Sequence, residues 1–270
     1  MAPQFGRNAA PRQDTMIRPL LLAFLILFVT PLAVGAGLYV AEDRPSSWGR
    51  ANWSSAGVLP PAASVPEARV LVLAGRTGRW KGMFAVHSWI VVKPAGAARW
   101  TRYDVVGWGS PIRKNGWDAD GRWFSDTPRI VAEVRGAAAA AAIPKIEAAI
   151  QAYSYRKAGD YRAWPGPNSN TFVATVLRAV PELGVAMLPN AIGKDYHDGV
   201  VAGRTASRTG IEASLWGLAG FKLGWVEGVE INLLGLVAGV DLRDPALKLP
   251  AIGRIALAGG SPSAASPVTP

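Results

Sequence analysis

The chain has 270 residues, with 29 Lys and Arg against 19 Asp and Glu for a formal charge of +10, and no cysteine. The missing thiol excludes a disulfide framework, a thiolate zinc site, a cysteine nucleophile and the lipid-bearing cysteine of a lipoprotein. Half of the residues are hydrophobic, which excludes a disordered chain, and only His87 and His197 exist to serve a histidine-rich metal site.

The first element is Leu20 to Val40, a stretch of 21 residues without a charge. A helix of about 20 apolar residues crosses a bilayer. Arg7, Arg12 and Arg18 precede it against the single acid Asp14, and Glu42 and Asp43 follow it. The positive-inside rule then places residues 1–19 in the cytoplasm and the body of the chain in the periplasm, behind an inner-membrane, single-pass anchor at 20–40. The alternative is a cleaved signal peptide, with an apolar core over Leu20 to Val29 and a cleavage site at Val34-Gly-Ala36. Beyond this segment, 26 basic residues stand against 18 acidic ones, scattered rather than in runs. That pattern predicts no nucleic-acid partner. It suits an anionic membrane surface or wall polymer, or simply a soluble surface.

Residues 41–67, rich in Pro, Ser, Gly and Ala, read as a linker, and residues 258–270 as a disordered tail. Between them, 68–257 reads as one α+β domain. Arg69 to Ala74, Phe84 to Lys93, Arg99 to Trp108 and Ile130 to Arg135 have the β-branched and aromatic content of strands. The second and third form a hairpin, and Gly109 to Asp126 reads as a loop. Ala137 to Tyr153 reads as a helix whose stable part begins at Pro144, and Thr171 to Leu183 as a second helix. In Ile211 to Val240, the charges of Lys222, Glu227 and Glu230 argue against a second membrane span. Val229, Ile231 and Leu233 alternate there with Glu230 and Asn232, which predicts β-hairpins.

Chemistry concentrates in Trp164-Pro-Gly-Pro-Asn-Ser-Asn-Thr-Phe172. The prolines halt the chain, and Asn168 or Ser169 then caps a helix. Ser169 would sit where backbone N–H groups stabilise a developing oxyanion. The plainer alternative is an ordinary pair of caps. His87, in the strand VHSWIVV, is either a satisfied core residue or, facing Ser169, a general base.

These two segments carry a resemblance. A strand reading His-small-aromatic-aliphatic, followed by a helix opening Asn-Cys-Asn-x-Phe, is similar to the circularly permuted papain-like proteins. That group includes the lecithin retinol acyltransferase-like enzymes, the desumoylating peptidases and bacterial relatives of the cell-wall peptidases. Here His87-Ser-Trp-Ile-Val-Val precedes Asn168-Ser-Asn-Thr-Phe172, and Ser169 stands at the position of the family cysteine. GRWKGMFAVHSWIVVKP, YDVVGWG, WPGPNSNTFVA and AIGKDY also look like an uncharacterised proteobacterial family, domain of unknown function 3750. The papain-like resemblance implies a sheet packed on the Ser169 helix and a third polar residue orienting His87, for which Asp104 is the candidate, the plainer alternative being a surface acid paired with Arg102 or Arg113. Serine cannot be pre-ionised as the family thiol is, so this site would need general-base proton removal.

Trp89, Trp108, Trp164, Asn168 and Asn170 are the candidate binding residues beside this site, the tryptophans as stacking or groove-lining groups. Neither cofactor nor metal is expected, although His197 lies between Asp195 and Asp198. The favoured expectation is a membrane-anchored envelope protein whose cysteine-less papain-like cleft binds a peptide, wall glycan or lipid. One alternative is a serine acyl hydrolase or transferase using Ser169, His87 and Asp104. The other is a non-catalytic scaffold.

Overall fold

The computed structural model describes residues 14–257. The expected cytoplasmic segment, up to residue 13, and the expected tail at 258–270 lie outside the described residues. The chain opens with α1 (Asp14–Phe24) and α2 (Thr30–Ala41), joined without a break by the π-helical turn Leu25–Val29. From Ile17 to Ala41 this helix is long and apolar enough to be a membrane anchor or a signal sequence. Pro19 and Pro31 are carried within it.

Five strands form an antiparallel sheet in the order β4-β3-β2-β1-β5: β1 (Arg69–Arg76), β2 (Val86–Lys93), β3 (Thr101–Val105), β4 (Ile112–Lys114) and β5 (Arg129–Arg135). β2 is buried along its whole length, which its run of Val, Trp and Ile permits on both faces. One face, with Val72, Ile90 and Val92, packs under α3 (Gly136–Gln151) and α4 (Ser169–Ala179). The other face, with Leu73, Trp89 and Val91, packs against Trp123 and Phe124.

Three expectations shift here. α3 begins at Gly136 and carries Pro144 inside it, because burying Ala139, Ala142, Ile143 and Ile146 offsets the lost hydrogen bond and the proline clash. The loop after β3 contributes the short strand β4. Residues 42–67 do not hang free as a linker. Asp120 accepts hydrogen bonds from Val58 N and Leu59 N, and Trp48 and Trp53 stack at 5.5 Å on the aromatic face of the sheet. Low-complexity composition concealed the anchoring power of those two tryptophans.

The second half is an antiparallel meander of seven strands: β6 (Val200–Arg204), β7 (Gly210–Leu215), β8 (Ala219–Gly224), β9 (Gly228–Leu233), β10 (Leu236–Asp241), β11 (Ala246–Leu249) and β12 (Gly253–Ala256). The chain is thus a mixed helix-and-sheet protein with an N-terminal apolar helix and two antiparallel sheets. The hairpins expected over 211–240 are present.

The N-terminal helix packs on this body. A Cβ added at Gly35 would lie 2.6 Å from the Ala251 Cβ, and one at Gly82 would lie 2.5 Å from the Tyr39 ring. Only glycine lets the two surfaces approach so closely. The Tyr39 hydroxyl donates to Arg79 O at 2.6 Å.

Candidate functional site

The start of α4 is fixed by a capping box. Asn168 Oδ1 accepts from Asn170 N and Thr171 N, and the Thr171 hydroxyl accepts from Asn168 N. Ser169 is therefore the first residue of the helix, where unpaired N–H groups and the dipole favour negative charge. It is buried, as are its neighbours Asn168 and Asn170. Those two asparagines are spent on the scaffold. Asn168 Nδ2 donates to Ala163 O and Ile192 O, and Asn170 Nδ2 donates to Val86 O and Ile192 O. They hold the helix start to β2 while still bordering a cavity.

That cavity measures about 500 Å³ and is mostly apolar. Ser169, Tyr161, Phe84 and Trp164 line it, and Leu32 of the N-terminal helix closes one side. A second cavity of about 740 Å³ abuts it, sharing Thr77, Lys81, Tyr161 and Ala163 as common wall. Its lining is aromatic, from Trp48, Trp53, Trp108, Trp117 and Trp123, and His87 borders it.

His87 hangs from the face of β2 opposite α4, with its ring stacked on Trp123 at 3.6 Å and 4°. Its Nε2 lies 4.0 Å from Asp104 Oδ1, too long for a hydrogen bond, and neither atom has another partner. Asp104 is engaged by Arg102 instead, whose Nε donates to Oδ2 at 2.7 Å with both side chains buried. The Arg102 guanidinium also lies 4.0 Å from the centroid of the Trp89 ring. Burial, reinforced by Arg102, holds the His87 imidazole well below its ordinary 6.5, so the ring is neutral. Burial raises the Asp104 carboxyl, and Arg102 opposes that rise.

Ser169, His87 and Asp104 are thus gathered at one end of the sheet, with Ser169 and His87 bordering neighbouring cavities rather than one. Among the hydrogen bonds of the described residues, none joins His87 to Ser169. Tyr161 is the residue that reaches Ser169. Burial raises its phenol, and the contact with Ser169 acts against that rise.

Of the tryptophans singled out, Trp89 is fully buried and its indole N–H donates to Ala119 O at 2.9 Å, so it offers no face to a ligand. Burial by the loop after β4, which alternation within β2 does not reveal, is the reason. Trp108 and Trp164 are about half exposed and line the aromatic and apolar cavities respectively. His197 lies beside Arg178 at 3.3 Å and Glu212 at 3.9 Å. Sequence reasoning missed Tyr161, Lys81 and Leu32, and it weighed Arg102 only as a surface partner of Asp104, whereas the pair is buried. Each enters the site only through folding, even Lys81, which lies within the stretch GRWKGMFAVHSWIVVKP.

Residues 67–196 match a protein family described as "Protein of unknown function (DUF3750)". The matched segment contains His87, Asp104 and Ser169 and ends before the seven-stranded sheet. No curated protein and no solved structure matches the chain. The resemblance to permuted papain-like proteins rests on the two short motifs alone.

Proposed function

We propose that this chain, carrying a domain of unknown function 3750, is a membrane-anchored periplasmic protein whose cysteine-less cleft binds an amphiphilic envelope lipid. The observation that carries the reading is the apolar cavity beside Ser169, one wall of which is Leu32 of the apolar helix. A ligand entering from a bilayer around that helix finds Phe84 and Trp164 among the cavity walls. The acyl chain occupies this cavity. The head group reaches past Tyr161 into the aromatic cavity, where indole faces stack on sugar rings or other flat groups and Lys81 offers a cation. A wall peptide or a free glycan would leave the apolar cavity unused.

Native mass spectrometry of the full chain released from mild detergent tests this. The wild type should retain a phospholipid or glycolipid mass. Ala85→Trp, which fills the apolar cavity, should lose that mass while keeping its fold by circular dichroism. Equal retention by the two proteins would contradict the reading.

A serine acyl-transfer reading has one observation in its favour: Ser169 opens a doubly capped helix near an imidazole that is neutral and so able to accept a proton. Against it stand the separate cavities and the capture of Asp104 by Arg102. A fluorophosphonate probe should leave the natural protein unlabelled. Labelling that disappears in both Ser169→Ala and His87→Ala would transfer the assignment to an enzyme.

A further inference from the structure

The seven-stranded sheet is inverted with respect to an ordinary half-buried sheet. Its registers place Glu212, Lys222, Glu230 and Lys248 in one cross-strand row on the face turned toward the body of the protein. The row directly beside it on the other face reads Ile211, Leu223, Val229, Val240, Leu247 and Ile255. A further row sets Phe221 opposite Ile231, with Ala213 and Ala238 outside them. The apolar set is the one left uncovered: Phe221 is 47% exposed and Ile231 is 52% exposed. Soluble proteins rarely expose contiguous apolar patches larger than a few hundred Å², and larger ones mark a partner or a membrane.

We infer that this outward sheet face is immersed in the acyl-chain region of the bilayer leaflet beside the N-terminal helix. Two observations select lipid over a second copy or another protein. The patch is continuous with the anchor helix, whose π-helical turn Leu25–Val29 lies against β10. That helix itself exposes Leu21, Leu22 and Ile26 over more than half of their surfaces, so one apolar solvent covers both surfaces. The ends of the patch carry exposed tryptophans, Trp216 after β7 and Trp225 after β8, in the manner of interfacial anchors. Within the apolar rows no charge appears. Arg204 stands only at the β6 edge of the longer row, where the side chain of a cation reaches head groups. The inward charges are what frees the outward positions to be apolar, since Lys194 Nζ and Lys248 Nζ meet Glu230 at 2.5 and 2.7 Å inside the protein.

The inference rests on the anchored reading of the first helix, and the test separates the two. The chain has no cysteine, so single-cysteine variants of the full chain take one spin label each. Phe221→Cys and Ile231→Cys probe the sheet, Leu21→Cys the helix, and Ala98→Cys, in the β2–β3 turn, serves as the water reference. In vesicles of phosphatidylethanolamine and phosphatidylglycerol, collision with oxygen is compared with collision with a water-soluble nickel chelate. The oxygen-to-nickel ratio at 221 and 231 should exceed that at 98 severalfold and approach that at 21. Ratios at 221 and 231 equal to that at 98 would overturn the sheet assignment, and the anchor would stand if 21 remains oxygen-rich. Spin–spin broadening between copies at 231 would overturn it in favour of a dimer. Oxygen-rich sheet positions in a protein that has lost its first 36 residues would uphold the sheet assignment and remove the anchor.

Discussion

His87 shows how far a residue's chemistry depends on what folds around it. Its strand was legible in the sequence, and Asp104 was named as its polar neighbour only through the papain-like resemblance; the fold sets the two 4.0 Å apart on one sheet face. The pairing of Asp104 with Arg102 was legible as an alternative, because the two stand two residues apart on β3 and share a face; its burial was not, since the spacing does not say what covers that face. The buried, neutral ring has a measurable consequence. The unfolded chain binds a proton at His87 below about pH 6.5 while the folded chain does not, so this group costs stability as pH falls from 6.5 and spares it above. His87→Gln should therefore remove a slope of up to about 1.4 kcal/mol per pH unit from the urea-denaturation stability between pH 6.5 and 5. Identical slopes in variant and wild type would mean that the ring titrates freely. The cap at Asn168 was legible from Pro-Gly-Pro-Asn-Ser, and its worth is calculable. Asn168→Ala should cost at least about 1 kcal/mol by denaturant titration, because it removes the cap and the donor to Ala163 O, while Ile192 O keeps Asn170.

At the scale of elements, four strands of the first sheet and the helix from Ser169 were readable from their apolar content, whereas the short β4, with only Ile112 as an apolar residue, read as loop. The second sheet was readable as hairpins but not as to which face is buried. Alternation specifies two faces and says nothing about which one meets the protein. Here the charged face turns inward because Lys194, from the loop before β6, supplies a cation between Asp195 and Glu230. Burial by itself would raise the Asp195 and Glu230 carboxyls, but Lys194 helps hold both below their ordinary values, with Lys222 on Asp195 and Lys248 on Glu230. Depressed carboxylates stabilise the fold above their unfolded pKa values, 3.8 and 4.5, and that stability drains away as pH falls below them. The protein should lose stability steeply below pH 4.5, in a window distinct from that of His87. Glu230→Gln should flatten that acid limb while lowering stability at pH 7, since it strands Lys194 and Lys248 in the interior. An unchanged acid limb would mean that other carboxylates govern it.

For the whole molecule, the decisive arrangement is the seating of an apolar helix against the mouth of an apolar cavity. Sequence length and charge bias gave the helix. Its docking through Gly35 and Gly82 was invisible, because a glycine in an apolar run carries no mark of what approaches it. Gly35→Leu should push the helix off Ala251 and open the cavity wall at Leu32, which limited proteolysis would report as faster cleavage between residues 42 and 47. The central claim is that the acyl chain of a lipid enters the cavity beside Ser169. Photo-crosslinking of the full chain in vesicles, with a phospholipid bearing a diazirine in mid-chain, tests it most directly. The account predicts adducts on the peptides holding Phe84 and Trp164, suppressed in Ala85→Trp while adducts on the Ile17–Ala41 helix persist. Adducts on the helix alone in the wild type, with none at Phe84 or Trp164, would contradict it.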